Sequence, residues 1–176
     1  GIKIIQSELQ PIDSLYEIFE SKFLGGIVKK IDNVPNYHQF GDKEIIQEIE
    51  KRKNKITFSE TYLVTRIKKL NQLFCQTMQN ADLLICPTVL HKPFLKSDTR
   101  PPGTEALGIL EWPSNCILAN LLGVPAVTIP CGATPDGFPV GLQLFSAQYK
   151  DLELLEYAKL LYDVFEKPFC SPTILN

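Results

Sequence analysis

The stretch that decides the fold reads Asn120-Leu-Leu-Gly-Val-Pro-Ala-Val-Thr-Ile-Pro-Cys-Gly132 and continues, after three residues, as Asp136-Gly-Phe-Pro-Val-Gly-Leu-Gln-Leu144. Gly123 stands where a helix needs a left-handed residue just beyond its last turn. Pro125 follows and prevents the helix from continuing. The first part of the stretch therefore predicts the end of a helix.

The second part of the stretch predicts two strands joined by a turn. Ala126 to Ile129 is an apolar run typical of a buried strand, and Pro135-Asp136-Gly137 is a strong turn signal. Apolar residues then alternate at Val140, Leu142 and Leu144, which is the period of a strand.

Three helices are predicted upstream, each from apolar residues at helical spacing. The first is capped by Asp13 or Ser14, buries Leu15, Ile18, Phe19 and Phe23, and ends at Gly25-Gly26, after a strand over Ile2–Leu9. The second follows a loop over residues 31–41, is capped by Asp42 and buries Ile45, Ile46 and Ile49. The longest is capped by Ser59, runs from Glu60 to Gln79 and buries Leu63, Ile67, Leu70, Phe74 and Met78.

The remaining segments predict a strand, a long loop and two more helices. Asp82–Cys86 is a short buried strand stopped by Pro87, and residues 91–113 form a long variable loop rich in proline and glycine. A helix capped by Ser114 or Asn115 precedes Gly123. The last helix is capped by Asp151 and buries Leu154, Leu155, Ala158, Leu161 and Phe165.

The length indicates one domain over residues 1–176, and the predicted helices and strands make it a mixed α/β type. The net charge of −2 favours neither direct nucleic-acid binding nor an anionic membrane. The apolar runs are too short to span a bilayer. Five scattered cysteines without a CxxC pair suit a reducing compartment, so we expect a cytoplasmic protein. The first residue is Gly1 and the only methionine is Met78, which suggests a polypeptide that was trimmed or was taken from something longer.

Few residues present a self-contained chemistry. No phosphate loop, GxGxxG or GxSxG motif occurs, and we expect no cofactor. Two histidines, His38 and His91, are too few and too far apart in sequence to predict a zinc site, so no metal is expected. A Ser-His-Asp triad assembled in three dimensions stays open as a separate hypothesis. Cys131 is a candidate nucleophile, but a small buried residue at a strand end is the favoured reading.

Two residues are candidates for substrate binding. The planar guanidinium of Arg66 suits a ligand carboxylate, although an internal salt bridge is the commoner use of such an arginine. Trp112, the only tryptophan, lies in the long loop. It is interpreted either as part of a pocket wall or as a clamp that holds the loop on the core.

Four motifs, in order and at matching spacing, resemble the carboxyl-terminal half of the amidase signature family. They are Asp82-Leu-Leu-Ile-Cys-Pro-Thr88, Asn120-Leu-Leu-Gly-Val-Pro-Ala126, Pro130-Cys-Gly132 and Asp136-Gly-Phe-Pro-Val-Gly-Leu-Gln143. The resemblance implies the carboxyl-terminal part of an α/β/α sandwich with a mixed β-sheet. It also implies the activity of a serine hydrolase that cleaves carboxamides. Some members of the family release ammonia for tRNA-dependent transamidation.

The resemblance does not bring the catalytic residues with it. The family uses a serine nucleophile, a second serine in a cis peptide and a lysine, and nothing here resembles Gly-x-Ser-Ser-Gly-Gly or matches that lysine. We therefore assign no catalytic residue and expect sheet scaffold and part of a pocket, with Arg66, Trp112 and the 91–113 loop lining it.

The resemblance leaves two functional interpretations. In one, the amide substrate binds through an intact enzyme whose catalytic half is supplied in cis or in trans. In the other, the chain is a free-standing, non-catalytic remnant or one part of a split amidase or tRNA-dependent amidotransferase. A hydrolase complete within this chain is the least favoured reading.

Overall fold

The structure is a computed structural model that describes residues 3, 5, 15–31, 33–39, 43–52, 58–98, 100–104 and 112–165. These residues form five helices and three strands: α1 (Leu15–Ile31), α2 (Lys43–Arg52), α3 (Glu60–Met78), β1 (Leu84–Pro87), α4 (Ser114–Leu122), β2 (Ala126–Ala133), β3 (Pro139–Phe145) and α5 (Asp151–Val164). The mixed α/β class is confirmed. The chain divides into two compact units, residues 1–70 and 71–176. The expected single domain stays a prediction.

In the first unit, α1 is longer than predicted. It continues through Gly25-Gly26 to Ile31, whereas the sequence predicted that the two glycines end it. Each glycine costs a helix only about 1 kcal/mol relative to alanine, and the partly buried apolar residues that follow sustain it. Phe23, predicted to be inward, is exposed and stacks on Phe19 at 5.4 Å between ring centroids.

Of the predicted strand over Ile2–Leu9, the structure describes only Lys3 and Ile5, neither of which lies in a strand. The predicted caps Asp13, Ser14 and Asp42 lie outside the described residues. Within the predicted loop, residues Tyr37–Gln39 form one 3-10 turn. The Tyr37 hydroxyl donates a hydrogen bond to the Glu50 carboxylate and so joins this turn to α2. Ile46 is buried on α2 as predicted, and the side chains of Ile45 and Ile49 are not among those described.

The longest helix, α3, confirms its predicted start. The backbone N–H of Tyr62 donates to the Ser59 hydroxyl at 3.2 Å, which is the geometry of an N-cap. The apolar stripe is buried at Leu70 and Phe74 and half-buried at Leu63, Ile67 and Met78.

The second unit is built on a three-stranded antiparallel sheet in the order β1-β3-β2. The central strand β3 contains the two most deeply buried apolar residues, Leu144 and Phe145, both 0% exposed. Strand β1 was predicted to be buried, but Ile85 is 43% exposed and Pro87 is exposed. The reason is that β1 is an outer strand of this sheet, and its Pro87 fits that place because proline is tolerated at sheet edges.

Strand β2 extends beyond its predicted end at Ile129 to Ala133. The register shifts between Pro130 and Gly132, which makes a β-bulge at Cys131. In the following turn, the N–H of Thr134 donates a hydrogen bond to the carbonyl of Phe138 at 2.8 Å, and Gly137 has φ 86. The predicted hairpin is therefore confirmed, with the bulge as an addition.

Helix α4 ends as predicted, but its predicted start is wrong. Gly123 takes the left-handed conformation, with φ 64, and its N–H donates to the carbonyl of Ala119. At the other end Pro113 is the residue before the helix, and no side chain caps it. Asn115, one of the two predicted caps, instead donates its side-chain amide to the carbonyl of Pro87 at 2.7 Å.

Helix α5 covers one face of the sheet. Leu154 and Ala158 pack with Ile129 and Leu144 in the main core cluster. Leu155 was predicted to be inward but is 55% exposed. Asp151 is the first helical residue, Lys150 precedes the helix, and no side chain caps it, so the predicted Asp151 cap is wrong. In the described part of the chain, no helix has the length and apolar character to cross a bilayer.

Candidate functional site

The described part of the 91–113 loop contains no helix or strand. Trp112, at its end, meets Phe94 edge-on, with 5.5 Å between ring centroids and an interplanar angle of 86°. This geometry is favourable for an aromatic pair. Trp112 therefore contacts the first part of the same loop, and its two interpretations, as a pocket wall or as a clamp that holds the loop on the core, both stay predictions.

The same loop is tied to the β2–β3 hairpin by an ion pair. The Lys92 ammonium lies 2.6 Å from an Asp136 carboxylate oxygen. The hydrogen bonds that Asp136 accepts, first from Lys92 and then from Thr134, lower the pKa of its carboxyl group from 3.8 to about 2. Asp136 belongs to one of the motifs that carry the family resemblance, so this pair links the variable loop to the shared scaffold.

A tight turn stabilises the middle of the loop. The Thr104 side chain is buried, and its hydroxyl donates to the carbonyl of Pro101 at 2.6 Å. Gly103 within this turn has φ 82, a conformation that glycine adopts without strain. Among these contacts, the Lys92–Asp136 pair joins the loop to another element, and the Thr104–Pro101 and Phe94–Trp112 contacts lie within the loop.

Arg66 lies on α3 in the first unit. It is half-buried, and its guanidinium carbon is 6.0 Å from the centroid of the Tyr62 ring, one turn earlier on the helix. That distance is at the outer limit of a cation–π contact. Trp112 lies in the second unit, and each residue is described within its own unit.

The sheet face on the side opposite α5 contains two neighbouring threonines. Gly141 on β3 is flanked by Thr88, which follows β1, and by Thr128 on β2; the two hydroxyl oxygens are 3.3 Å apart. A β-carbon on Gly141 would lie 2.7 Å from the Thr88 hydroxyl oxygen and 3.0 Å from the Thr128 methyl carbon. Glycine at this position therefore allows the two threonines to meet over the central strand.

Helix α4 packs against the end of β1 on this face. In addition to the Asn115–Pro87 bond, the Cys116 thiol donates to the carbonyl of Thr88 at 3.5 Å. Burial, with a smaller effect from Cys116, raises the pKa of the Cys86 thiol to about 11, and burial also raises the pKa of Cys116. Both thiols are therefore protonated at neutral pH, and neither is an activated nucleophile.

Gln143 is the one polar side chain among the described residues that is buried with an unpaired oxygen. It is 7% exposed, and its Oε1 has no hydrogen-bond partner. Register places it directly opposite Cys86 on one side and Thr128 on the other. A buried, unpaired carbonyl costs about 1–3 kcal/mol, so Gln143 is a weak point of this face.

The remaining candidates gain no catalytic geometry. The Cys131 thiol donates to the carbonyl of Val140 at 3.6 Å within the bulge, and His91 is half-buried in the loop. The side chain of His38 is outside the described set. Over the residues described, no group of three or more His, Cys, Asp or Glu side chains is placed to hold a metal ion.

Sequence reasoning missed several residues that organise this region: Thr88, Asn115 as a bridge, Thr128, Gln143 and the Lys92–Asp136 pair. One signal was present, since a glycine inside an alternating strand, such as Gly141, marks close approach of another group. The others depend on contacts between segments far apart in the chain.

Comparison with known proteins identifies the family. The family profile described as Amidase matches residues 34–155, more than half of the chain. A glutamyl-tRNA(Gln) amidotransferase subunit of Borreliella burgdorferi is 29% identical over 158 residues, which cover 87% of this chain and 29% of that protein. The chain therefore spans less than a third of the length of this relative.

Solved structures agree on the fold. A crystal structure of an amidase aligns with TM-score 0.67 and 19% identity, over 89% of this chain and 36% of that one. The structure of a glutamyl-tRNA(Gln) amidotransferase subunit from Thermotoga maritima aligns with TM-score 0.62 and 17% identity, over 91% and 36% of the two chains. At these identities the likeness shows the fold, and the α/β architecture predicted from the motifs is confirmed. With a family profile over most of its length, four motifs in order and this shared fold, the chain belongs to the amidase family.

Proposed function

We propose that this chain is the carboxyl-terminal portion of an amidase-like serine hydrolase that cleaves the carbon–nitrogen bond of a small amide. It contributes sheet scaffold and part of the substrate pocket and is not catalytic alone. A cytoplasmic location belongs to the same proposal.

The observation that carries the proposal is the combination of a family match with an absent catalytic motif. The profile match covers residues 34–155, and the sequence contains no Gly-x-Ser-Ser-Gly-Gly segment. A serine nucleophile is inert without a base to take its proton, so a chain without the serine and lysine motifs needs another polypeptide segment for chemistry.

In the parent reaction, the serine oxygen attacks the amide carbonyl and ammonia leaves with the proton delivered by the catalytic base. Water then attacks the acyl-serine ester, which yields the carboxylic acid and the free serine. Catalysis by this route requires a polypeptide segment that contains the serine and lysine motifs, supplied in cis or in trans to this chain.

The pocket assignment rests on Arg66, Trp112 and the loop between residues 91 and 113. The contacts at Lys92–Asp136, Thr104 and Phe94–Trp112 support a preformed wall in the described part of the loop. The half-buried Arg66 supports recognition of a substrate carboxylate.

A second candidate is a non-catalytic part of a split amidase or tRNA-dependent amidotransferase. The name of the Borreliella burgdorferi relative, which is one subunit of a glutamyl-tRNA(Gln) amidotransferase, favours it. Under this reading the chain acts only in a complex.

The size of the endogenous polypeptide distinguishes a catalytic half in cis from one in trans. An antibody raised against residues 151–164 is used on a denaturing gel of cell extract. A band well above 19.9 kDa supports a catalytic half in cis. A band at 19.9 kDa supports a separate polypeptide, and the catalytic half must then be sought among proteins that co-purify with it.

The pocket assignment has its own test in the catalytically active polypeptide or complex. We expect Arg66→Gln to raise KM for amides that carry a carboxylate at least roughly tenfold, the loss of about 1.4 kcal/mol of binding. Trp112→Leu should change the order of preference among acyl groups. Lys69→Gln, an exposed change on the same helix, serves as the control. Unchanged substrate preference in both variants would remove these residues from the pocket.

A further inference from the structure

The turn between β2 and β3 contains the only Asp-Gly pair of the sequence, Asp136-Gly137, and the sequence contains no Asn-Gly pair. An aspartate before a glycine is prone to spontaneous rearrangement, because glycine has no β-carbon to hinder the approach of its backbone nitrogen to the preceding carboxyl group. Both residues are exposed, and Gly137 has φ 86. Residue type and exposure therefore make this turn open to that chemistry.

The rearrangement exchanges one amide bond of the main chain for another. The Gly137 nitrogen attacks Cγ of Asp136, an N–Cγ bond forms, and the carboxyl hydroxyl leaves as water with the amide proton. Water then opens the cyclic imide. Cleavage of the nitrogen's bond to the main-chain carbonyl leaves the chain running through Cγ, which is isoaspartate, and cleavage of its bond to Cγ restores aspartate. Water is the only other reactant.

The structure holds the carboxyl group in the form that resists this attack. The Lys92 ammonium lies 2.6 Å from an Asp136 carboxylate oxygen, and the Thr134 hydroxyl donates to the same group. An ionised carboxylate is a poor electrophile, because it has no hydroxyl to release as water. The two contacts favour the ionised form, and they lower the pKa of Asp136 from 3.8 to about 2.

The attacking nitrogen is also held by a hydrogen bond. The Gly137 N–H donates to the carbonyl of Thr134 at 2.8 Å. Thr134 is fixed in turn by Phe138, whose carbonyl accepts the Thr134 N–H at 2.8 Å and whose N–H donates to the Thr134 hydroxyl at 3.0 Å. These contacts all lie within the turn. Of the contacts that hold the two reacting groups, the one from Lys92 comes from another segment, 44 residues away.

We propose that the Asp136-Gly137 bond is a modification site for isoaspartate formation, and that Lys92 of the 91–113 loop protects it in the folded chain. Protection then lasts only while this part of the loop stays on the hairpin. Isoaspartate adds one backbone atom to the turn and so disrupts the hydrogen bonds that close it. The inference does not rest on the proposed function, because it requires neither catalysis nor a partner.

The test follows isoaspartate at position 136 over time in the purified protein at neutral pH, by peptide mapping with mass spectrometry. A pKa that returns from about 2 to 3.8 increases the protonated fraction by up to roughly sixtyfold. Because solvent weakens an exposed ion pair, we expect Lys92→Met to accelerate isoaspartate formation by less than this, but at least roughly fivefold.

Two control variants separate the ion pair from a general effect of substitution. Lys96→Met changes the other lysine of the 91–113 loop, which is also exposed, and should leave the wild-type rate unchanged. Lys92→Arg keeps the positive charge and should retain most of the protection. Thermal unfolding checks that each variant is folded during the incubation, and Lys92→Ala gives the same comparison if Lys92→Met does not fold.

Unfolding in urea removes the contact without a change of sequence. In urea, wild type and Lys92→Met should form isoaspartate at the same rate, and wild type should do so faster than when it is folded. Equal rates for folded wild type and folded Lys92→Met overturn the protective role of Lys92. A folded wild-type rate equal to the rate in urea overturns protection by the fold altogether.

Discussion

At Gly141, two threonine side chains occupy the space that a β-carbon would need. Thr88 and Thr128 reach over the central strand from the two outer strands, and the Thr88 N–H also donates to the carbonyl of Gly141 at 2.9 Å. The close approach ties β1, β2 and β3 together on the sheet face opposite α5. This position requires glycine because of its small size and not because of its backbone conformation.

We expect Gly141→Ala to lower the free energy of unfolding by about 1–3 kcal/mol, the usual cost of forcing atoms into a packed site. Urea unfolding measures it. Adding Thr88→Ala should recover part of the loss, because it removes the nearest atom. Gly26→Ala, where an added β-carbon meets nothing within 4 Å, is the control and should stabilise α1 by up to about 1 kcal/mol. Equal effects of the two alanine substitutions would contradict the packing argument.

The cysteines should differ in reactivity. A pKa of about 11 in place of 9.0 leaves Cys86 with about a hundredfold less thiolate at about pH 8 than an unperturbed thiol. Iodoacetamide labelling followed by peptide mass spectrometry should therefore modify the exposed Cys75 well before Cys86 or Cys116. Cys86 reacting as fast as Cys75 would mean that it is neither buried nor raised in pKa.

At the scale of elements, the helix starts show how side-chain geometry decides a cap. Ser59 fits the capping pattern, since its hydroxyl oxygen accepts the Tyr62 N–H. Asp151 has the right residue type but lies one position inside α5, where its charge still favours the helix N-terminus. Residue type alone does not distinguish these two positions.

Ser59→Ala should destabilise the chain by about 1 kcal/mol, within the usual range of roughly 0.5–2 kcal/mol for a lost N-cap. Chemical denaturation gives the value, and Ser59→Asp should retain most of the stability because its carboxylate accepts the same bond. If Ser59→Asp loses as much as Ser59→Ala, the hydroxyl is not acting as a cap.

The Lys92–Asp136 pair joins two elements and predicts a pH dependence. Because the folded pKa of Asp136, about 2, is below its ordinary 3.8, its contribution to stability is present above pH 3.8. The contribution is lost as pH falls through about 2. An NMR titration of the Asp136 carboxyl carbon should give a midpoint near 2, and Lys92→Met should move it towards 3.8. A wild-type midpoint near 3.8 would show that the pair does not form in solution.

For the whole molecule, the motifs predicted the hairpin, Gly123 at the end of α4, the Ser59 cap and the family. These features depend on neighbours in sequence, such as a turn residue or a run of alternating apolar residues. The exposure of Ile85 and Leu155 and the extension of α1 past Gly25-Gly26 depend on what packs against each element. Periodicity shows which residues are apolar but not how many sides of an element are covered.

The candidate site was less predictable for the same reason. Arg66 and Trp112 were selected by residue type and stay proposals. The contacts that organise the loop and the sheet face opposite α5 join segments up to 44 residues apart, as in Lys92–Asp136. Such contacts produce no periodic pattern in the sequence, so they cannot be predicted from it.

The topology also predicts where the second unit is most resistant to opening. β3 is paired on both sides, and Leu144 and Phe145 are fully buried. Native-state hydrogen exchange should therefore be slowest for the hydrogen-bonded amides of β3 and faster in β1, which has one partner strand. Faster exchange in β3 than in β1 would contradict the strand order.

Both outer strands of the sheet contain a proline, Pro87 in β1 and Pro130 in β2, and β2 is bulged at the next residue. A proline has no N–H to offer an incoming strand, and a bulge twists the edge away from it. Chains of this protein are therefore poor templates for one another at their sheet edges. If the chain forms insoluble material when it is expressed alone, that material should be amorphous and held by side chains rather than built as cross-β fibrils.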